Sequence, residues 1–111
     1  TCIRDYIHVV DLANAHICAL NYLEKNKGVE NDVFNIGTGI GTSVFEIIES
    51  FEKVTSLKVN YKIGARRDGD VASAYTDNRK AKEVLGWKSK FSLEDALLSA
   101  WNWEKKIRDI N

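Results

Sequence analysis

A short run of charged residues in the second half of the chain carries the side chains needed to hold a phosphorylated sugar. Two guanidiniums and two carboxylates surround one glycine in Arg66-Arg67-Asp68-Gly69-Asp70, and small residues and a tyrosine follow. An arginine presents several N–H donors in one plane, which suits phosphate oxygens. A neighbouring carboxylate can orient the arginine or accept a hydrogen bond from a sugar hydroxyl. The pattern therefore indicates a site for a diphosphate-linked sugar, and the alternative interpretation is a charged surface turn.

A second polar cluster, Arg4-Asp5-Tyr6-Ile7-His8-Val9, lies on a predicted strand. Alternation places Arg4 and His8 on one face of this strand and Asp5 on the other. Arg4 could bind a phosphate if it faces a cleft, or it could form a local ion pair at a strand edge. His8 and His16 have no metal-ligand spacing to other residues, so we interpret both as structural.

A glycine-rich loop, Gly-Thr-Gly-Ile-Gly-Thr at 37–42, follows a predicted strand and precedes a predicted helix. This is the layout of a dinucleotide-binding fingerprint, but the third glycine of that fingerprint would fall on Thr42. No acidic residue ends the next predicted strand either. We therefore interpret the loop as a tight strand-to-helix turn that can border a ligand through its backbone N–H groups, and we assign it no cofactor.

The composition indicates a folded chain that must hold any anion by a local cluster. Its 111 residues include 16 basic and 16 acidic side chains, so the formal net charge is zero. That balance argues against nucleic acids and anionic membranes as partners, and no apolar run approaches the ~18 residues of a membrane span. Cys2 and Cys18 suggest neither a zinc site nor a disulfide framework, so we expect no metal and a reducing, cytoplasmic location. Because the sequence starts at Thr1 without a methionine, we expect a fragment of a longer protein.

Local signals predict short strands that alternate with helices, which is the α/β class. The predicted strands are 3–10, 32–36 and 57–63, and the predicted helices are 12–25, 44–54, 78–85 and 93–107. Asp11 and Asp77 are predicted helix caps, and Ser43 and Ser92 each begin a predicted capping box. Gly86 is a predicted helix stop. Three short strands make a thin sheet, which we expect to rest against a larger partner domain.

No arrangement of catalytic residues is present in the sequence. There is no Walker loop, no His-Glu-x-x-His and no Gly-x-Ser-x-Gly elbow. The Tyr-x-x-x-Lys pair of short-chain dehydrogenases is also missing, because Tyr6 is followed four residues later by Val10 and Tyr75 by Arg79. We therefore expect no catalytic residue in this chain.

Four motifs, in their order and spacing, resemble the C-terminal part of the UDP-glucose 4-epimerase family. They are Arg-Asp-Tyr-Ile-His-Val-x-Asp-Leu-Ala at 4–13, Asn-Ile-Gly-Thr-Gly-x-Gly-x-Ser-Val at 35–44, Arg-Arg-x-Gly-Asp-Val-Ala at 66–72 and Lys-Ala-x-x-x-Leu-Gly-Trp at 80–87. Related nucleotide-sugar dehydratases and decarboxylases share the first two motifs. The third motif points more narrowly to the epimerases, and the resemblance covers essentially the whole chain.

The resemblance implies a fold, a domain organisation and a set of partners. Residues 1–111 would form the C-terminal substrate-binding portion of a Rossmann-type extended short-chain dehydrogenase/reductase. A larger N-terminal Rossmann domain, absent from this sequence, would bind NAD and carry the Tyr-x-x-x-Lys pair. The implied partners are the UDP-sugar and that N-terminal domain, and the full-length protein would form a homodimer.

The resemblance also implies roles for individual residues. Arg4 and Arg67 would contact the diphosphate, and Asp70 would contact a ribose or other hydroxyl of UDP. The residues that would together border the nucleotide are Arg67, Asp68, Gly69 and Asp70. Ala74 matches a position that lines the sugar pocket, where a small side chain leaves room for a 2-acetamido group.

The implied activity is that of an isomerase of galactose metabolism that interconverts UDP-galactose and UDP-glucose. The small Ala74 extends this expectation to UDP-GalNAc and UDP-GlcNAc. In the family, C4 of the sugar is oxidised transiently by bound NAD, and the hydride returns to the other face. This portion would supply binding and orientation and is expected to be inactive alone. Two alternatives stay open: part of another nucleotide-sugar dehydratase or decarboxylase, or a UDP-sugar-binding module without catalysis.

Overall fold

The polypeptide is organised around a short strand near its beginning. The computed structural model describes residues 1–110. Strand β1 (Ile3–Arg4) pairs antiparallel with strand β2 (Thr42–Ser43), with Ile3 opposite Ser43. This pairing joins the beginning of the chain to the end of the glycine loop.

The other edge of β1 holds the segment that follows the charged loop. Ile3 forms a parallel bridge with Ser73. Its N–H donates to the carbonyl of Ala72 and its carbonyl accepts the N–H of Ala74, each at 2.9 Å. β1 is therefore the element that brings the glycine loop and the charged loop to one place.

Helix α1 (Val9–Lys25) begins earlier in the sequence than predicted. Its N-cap is His8, whose Nδ1 accepts the N–H of Val10 at 3.0 Å. The prediction of Asp11 as the cap is therefore wrong. The strand predicted over 3–10 is reduced to β1, because its later residues have no strand neighbour to pair with and continue into the helix.

Asp11 instead anchors the segment that precedes the last helix. Its carboxylate accepts the N–H of Lys90 and of Phe91, each at 3.1 Å, while its backbone carbonyl accepts the indole N–H of Trp87 at 3.0 Å. Asp11 is 1% exposed and Trp87 is 2% exposed. A buried carboxylate must have its hydrogen bonds satisfied, and these backbone donors satisfy it.

Helices α2 (Val44–Thr55) and α3 (Leu93–Ile107) pack against each other. The edge of the Phe51 ring meets the Trp101 indole with 5.6 Å between ring centroids. Each helix begins with a capping box, as predicted, because the two signals are local and lie three residues apart. The boxes are formed by Ser43 with Glu46 and by Ser92 with Asp95.

A short helical segment lies between α2 and α3 and includes a π-helical turn at Ala81–Leu85. Gly86 ends it with φ of 66°, which confirms the predicted stop. Asp77 Oδ1 accepts the N–H of Arg79 at 3.2 Å, in the manner of a cap. Ala81 is fully buried in a small core with Ala15 and Trp87.

The strands predicted over 32–36 and 57–63 are wrong for the described residues. Neither segment belongs to a ladder within residues 1–110. Alternation predicts an extended conformation, but a strand also needs the backbone of a neighbour. Phe34 and Ile36 of the first segment pack against the core without strand pairing. The second segment is mostly exposed, and its Ile63 is 81% exposed.

The chain forms a flat body with a small core. Its radius of gyration is 17.1 Å, and its smallest extent is 19 Å. A compact domain of similar length has a radius of gyration of about 13 Å. Many large apolar side chains stay accessible, among them Trp103 at 60%. None of the helices within residues 1–110 has the length and apolar character required to cross a membrane.

Candidate functional site

The charged loop closes into a tight turn that joins two of the predicted site residues. The N–H of Asp70 donates to the carbonyl of Arg67 at 3.3 Å, and Gly69 adopts φ of 86°. This left-handed conformation favours glycine, because a β-carbon would be strained there. The turn brings the two side chains together: Arg67 Nε donates to Asp70 Oδ2 at 3.0 Å, and Arg67 Nη2 donates to Oδ1 at 3.4 Å.

This fork-shaped pair orients the Arg67 guanidinium toward solvent. The Arg67 side chain is 84% exposed, whereas that of Asp70 is 25% exposed. An exposed ion pair contributes little to stability, so its main effect is to fix a direction. Because Asp70 occupies one edge of the guanidinium, the opposite edge is the one that can meet an anion.

An open cleft of about 530 Å³ lies beside the turn. Its lining includes apolar side chains from the beginning of α2, which we call the apolar wall. It also includes a group of charged residues that we call the charged rim: Lys62, Arg66, Arg67 and Asp70. Phe45 and Tyr61 face each other edge to face across part of it, with 6.1 Å between ring centroids. A cleft of this size, apolar on one side and charged on the other, suits a nucleoside with phosphates attached.

The remaining predicted residues lie around the same strand but not in the cleft. Asp68 and Gly69 belong to the turn without lining the cleft. Arg4 lies on β1, where its Nη1 donates to the carbonyl of Ile3 at 2.8 Å. Ala74 is hydrogen-bonded to that same carbonyl and is exposed. The structure thus joins Arg67 with Asp70 directly, and Arg4 and Ala74 both donate to the carbonyl of Ile3.

Asp5 was not predicted as part of any site, yet its carboxylate connects three segments. Oδ1 accepts the N–H and the hydroxyl of Thr38, at 3.0 and 2.7 Å. Oδ2 accepts the N–H of Gly39 at 2.9 Å and the N–H of Thr76 at 3.2 Å. Burial is the largest single influence on this carboxyl and raises its pKa. The four hydrogen bonds together outweigh it and hold the pKa of Asp5 below its usual value.

These hydrogen bonds show that the glycine loop does not fit a dinucleotide. A pyrophosphate is bound by backbone N–H groups at a loop and helix N-terminus. Here the N–H groups of Thr38 and Gly39 donate to Asp5, and that of Ile40 donates to the Thr38 hydroxyl at 3.1 Å. The helix that follows starts with the carboxylate of Glu46 at its N-terminus, which disfavours a second anion. The geometry supports the interpretation of a strand-to-helix turn.

Sequence reasoning missed Asp5 and the cleft wall for different reasons. Alternation placed Asp5 on the face opposite Arg4, but its partners lie 33, 34 and 71 residues away and leave no local signal. Val44 and Phe45 directly follow the capping serine of α2, where apolar residues are expected in any helix. Within residues 1–110 no group of three His, Cys, Asp or Glu side chains could hold a metal, and both cysteines are free thiols.

Comparison with known proteins identifies the family. The family profile described as GDP-mannose 4,6 dehydratase matches residues 1–99. UDP-glucose 4-epimerase 3 of Oryza sativa subsp. japonica is 46% identical over 106 residues, which are 96% of this chain and 28% of that protein.

Solved structures of similar proteins have the same architecture. A UDP-glucose 4-epimerase from Stenotrophomonas maltophila, with bound NAD and formylated UDP-arabinopyranose, superposes with a TM-score of 0.93 at 40% identity. This match covers 98% of the chain and 32% of that structure. The UDP-Glc/GlcNAc 4-epimerase of Campylobacter jejuni superposes with a TM-score of 0.80 at 41% identity, over 96% of this chain and 32% of that one.

The chain spans about a third or less of these proteins, between 28% and 32% of their length. The agreement confirms the α/β class and the relation to extended short-chain dehydrogenases/reductases. The chain belongs to the GDP-mannose 4,6 dehydratase family, and within that family it is similar to the UDP-glucose 4-epimerases.

Proposed function

We propose that residues 1–111 form the C-terminal, nucleotide-sugar-binding portion of a UDP-glucose 4-epimerase. The observation that carries the proposal is the pair of Arg67 and Asp70 at the rim of an apolar cleft. The similarity of the chain to UDP-glucose 4-epimerases over nearly its whole length supports it. The whole protein would be an isomerase that interconverts UDP-galactose and UDP-glucose in galactose metabolism.

Arg67 and Arg4 are proposed to contact the diphosphate. A guanidinium held by a carboxylate on one edge presents its other donors in a fixed plane, which matches phosphate oxygens. Asp70 has both oxygens near Arg67 and can still accept a hydrogen bond from a ribose hydroxyl, because each carboxylate oxygen accepts more than one. Asp68 and Gly69 border the nucleotide through the turn that they form.

The apolar wall of the cleft is proposed to hold the uracil ring. Val44, Phe45 and Tyr61 line the cleft with apolar and aromatic side chains. A flat ring with hydrogen-bonding edges is stabilised by contact with aromatic and aliphatic side chains. Base, ribose and diphosphate would then lie in this order from the wall of α2 toward Arg67.

The rest of the protein is proposed to supply the cofactor and the catalytic pair. The glycine loop does not fit a dinucleotide, so NAD and the Tyr-x-x-x-Lys pair are assigned to a larger N-terminal Rossmann domain. This portion would bind the UDP end of the substrate firmly, so that the sugar can present either face of C4 for reaction. The proposed partners are the UDP-sugar and the N-terminal domain, with the full-length protein a homodimer located in the cytoplasm.

Ala74 is proposed to admit a 2-acetamido group on the sugar. Its side chain is a single methyl group, and its backbone is fixed by the hydrogen bond to Ile3. The Campylobacter jejuni relative is named for both UDP-Glc and UDP-GlcNAc, so the family includes enzymes with this range. The proposed enzyme therefore accepts UDP-GlcNAc as well as UDP-glucose.

The experiment that tests the proposal is product analysis of the full-length protein with UDP-galactose and no added reductant. We expect UDP-glucose to form without net NADH. Replacing the arginine in Arg67→Ala removes a charge-assisted hydrogen bond worth about 1.5–3 kcal/mol, so KM should rise about 10- to 100-fold. Arg79→Ala is the matched control, because Arg79 is also exposed and paired with a nearby aspartate.

The outcomes separate the proposal from its alternatives. A folded, NAD-loaded protein that does not interconvert the two sugars is not an epimerase, and another nucleotide-sugar enzyme, such as a dehydratase or decarboxylase, would then be indicated. UDP binding without any turnover would favour a non-catalytic module. Equal effects of Arg67→Ala and Arg79→Ala would contradict the assignment of Arg67 to the site.

A further inference from the structure

The contacts of Asp5 extend the pairing between β1 and the segment that carries Ala74. The parallel bridge uses Ile3 to hold Ala72 and Ala74 through backbone hydrogen bonds. If the parallel ladder continued, the next bond would join the N–H of Thr76 to the backbone carbonyl of Asp5, which directly follows β1. Here the N–H of Thr76 donates to Oδ2 of Asp5 at 3.2 Å instead. The Asp5 carboxylate thus replaces a backbone carbonyl as the hydrogen-bond acceptor at the point where the ladder ends.

We propose that Asp5 is a positioning residue for the sugar end of the substrate site, an inference that rests on the proposed function. Ala74 lies between two anchor points, its own hydrogen bond to Ile3 and the hydrogen bond of Thr76 to Asp5. The second anchor depends on the Asp5 carboxylate, and a further contact follows two residues later, where Nδ2 of the buried Asn78 donates to the carbonyl of Gly37 at 2.9 Å. The hydrogen bond to Ile3 sets the distance of Ala74 from β1, and Asp5 fixes the course of the chain directly after Ala74.

The carboxylate itself is held from the other side by the glycine loop. Thr38 and Gly39 give it three hydrogen bonds, between 2.7 and 3.0 Å, so it cannot follow the Thr76 segment if that segment moves. There is also no spare room, because a β-carbon at Gly37 would lie 2.6 Å from Oδ2 of Asp5. The glycine loop thus supports residues 74–76, the segment that carries Ala74, through the Asp5 carboxylate.

The Arg67–Asp70 turn at the nucleotide end of the site is independent of this support. The Arg67–Asp70 turn closes with its own backbone hydrogen bond and its own ion pair, and it precedes the first bond of the ladder at Ala72. Loss of Asp5 should therefore weaken the hold on the sugar more than the hold on UDP. A purely structural role would weaken both equally.

The test uses the full-length protein and the substitution Asp5→Asn, which keeps the shape of the side chain. An amide presents two N–H donors on one side, so it loses the acceptor for two of the four donors. Calorimetric titration should show about a ten-fold weaker affinity for UDP-glucose and less than about a two-fold change for UDP. In turnover assays KM for UDP-galactose should rise by about the same factor, with kcat nearly unchanged.

Two further variants keep the test decisive. Thr38→Val removes only the hydroxyl donor to Asp5, so it should shift affinity for UDP-glucose about two- to three-fold in the same direction, even if Asp5→Asn does not fold. Asp77→Asn is the matched control, because within residues 1–110 its exposed carboxylate pairs only with Arg79, and it should leave both affinities unchanged.

The results lead to distinct conclusions. Parallel losses of UDP and UDP-glucose affinity in Asp5→Asn, or unchanged UDP-glucose affinity in the folded variants, would overturn the positioning role. Failure of the wild-type protein to bind UDP would overturn the proposed function itself, and this inference with it. A selective loss for the sugar in Asp5→Asn and Thr38→Val, absent in Asp77→Asn, is the result that the geometry requires.

Discussion

The substitution Gly37→Ala should disrupt the contact between the glycine loop and the segment after the charged loop. A β-carbon at this buried position would lie 2.6 Å from Oδ2 of Asp5 and 2.6 Å from Cβ of Thr76, and closer still to Oγ1 of Thr76. Ordinary contacts lie at 3.4–4 Å, so these neighbours must move by about 1 Å in a site without space.

The cost in unfolding free energy comes from the hydrogen bonds that this movement breaks. Oδ2 of Asp5 accepts the N–H of Gly39 at 2.9 Å and that of Thr76 at 3.2 Å, and both distances would exceed hydrogen-bonding range after such a shift. Overpacking costs about 1–3 kcal/mol, and a hydrogen bond to a charged group is worth about 1.5–3 kcal/mol before water replaces it. Because the site is partly accessible to water, we expect a loss of about 3 kcal/mol in the free energy of unfolding.

The assay is urea unfolding of the full-length protein, with Gly28→Ala as the matched control. Gly28 has no atom within 4 Å of its would-be β-carbon and no left-handed φ, so alanine there should be neutral or stabilise by about 0.4–1 kcal/mol. The double substitution Gly37→Ala with Thr76→Gly should recover part of the loss, since it removes two of the three clashing atoms. The reasoning is refuted if Gly37→Ala and Gly28→Ala unfold at the same urea concentration.

Four further results are expected. Because its folded-state pKa is lowered, Asp5 stabilises the protein fully above its unfolded pKa of about 4, and this contribution is lost as pH falls through the lower folded pKa. The unfolding free energies of wild type and Asp5→Asn, measured in urea at neutral and acidic pH, should therefore converge in acid. Asp11→Asn should cost about 2–4 kcal/mol in the same assay, because a buried carboxylate loses backbone donors, whereas Asp68→Asn at an exposed position should change little. Gly69→Ala should weaken UDP binding through backbone strain of about 1 kcal/mol, because Gly69 has a left-handed φ. No atom would clash with the added methyl group, so strain is the whole expected effect. Unchanged affinity for UDP in a titration would contradict this prediction. Ala74→Tyr should abolish turnover of the N-acetylated sugar while sparing UDP-galactose, and equal loss of both activities would exclude the proposed pocket.

The helices were predictable because their signals are local. Both capping boxes pair residues three positions apart, and Gly86 stops its helix through its own φ. The α2 and α3 boundaries were therefore predicted to within a residue. The beginning of α1 was not predicted correctly. His8 caps this helix, and the Asp11 carboxylate accepts hydrogen bonds from backbone N–H groups 79 and 80 residues away.

Strands and side-chain networks were less predictable because their partners are distant in sequence. Local sequence signals predicted strands over 32–36 and 57–63, but strand pairing depends on where neighbouring backbones lie. In the candidate site, Arg67 and Asp70 were predicted from their chemistry, and their proximity in sequence made the turn between them plausible. The contacts of Asp5 join three segments far apart in sequence and have no pattern from which they could be read.

The different roles of Arg4, a proposed ligand contact, and Asp5, which holds segments of the fold together, have a consequence for sequence searches for relatives of this chain. Arg4 ends β1 and Asp5 directly follows it, so one motif contains a proposed ligand contact next to the residue whose carboxylate connects three segments. Asp5 and Asp11 are engaged by backbone amides, which any chain with this architecture must also satisfy, whatever reaction it performs. A search based on these two aspartates would therefore retrieve proteins of shared ancestry with diverse reactions. The proposed function predicts that ranking the retrieved sequences by the residues at positions 67, 70 and 74 would separate them by substrate.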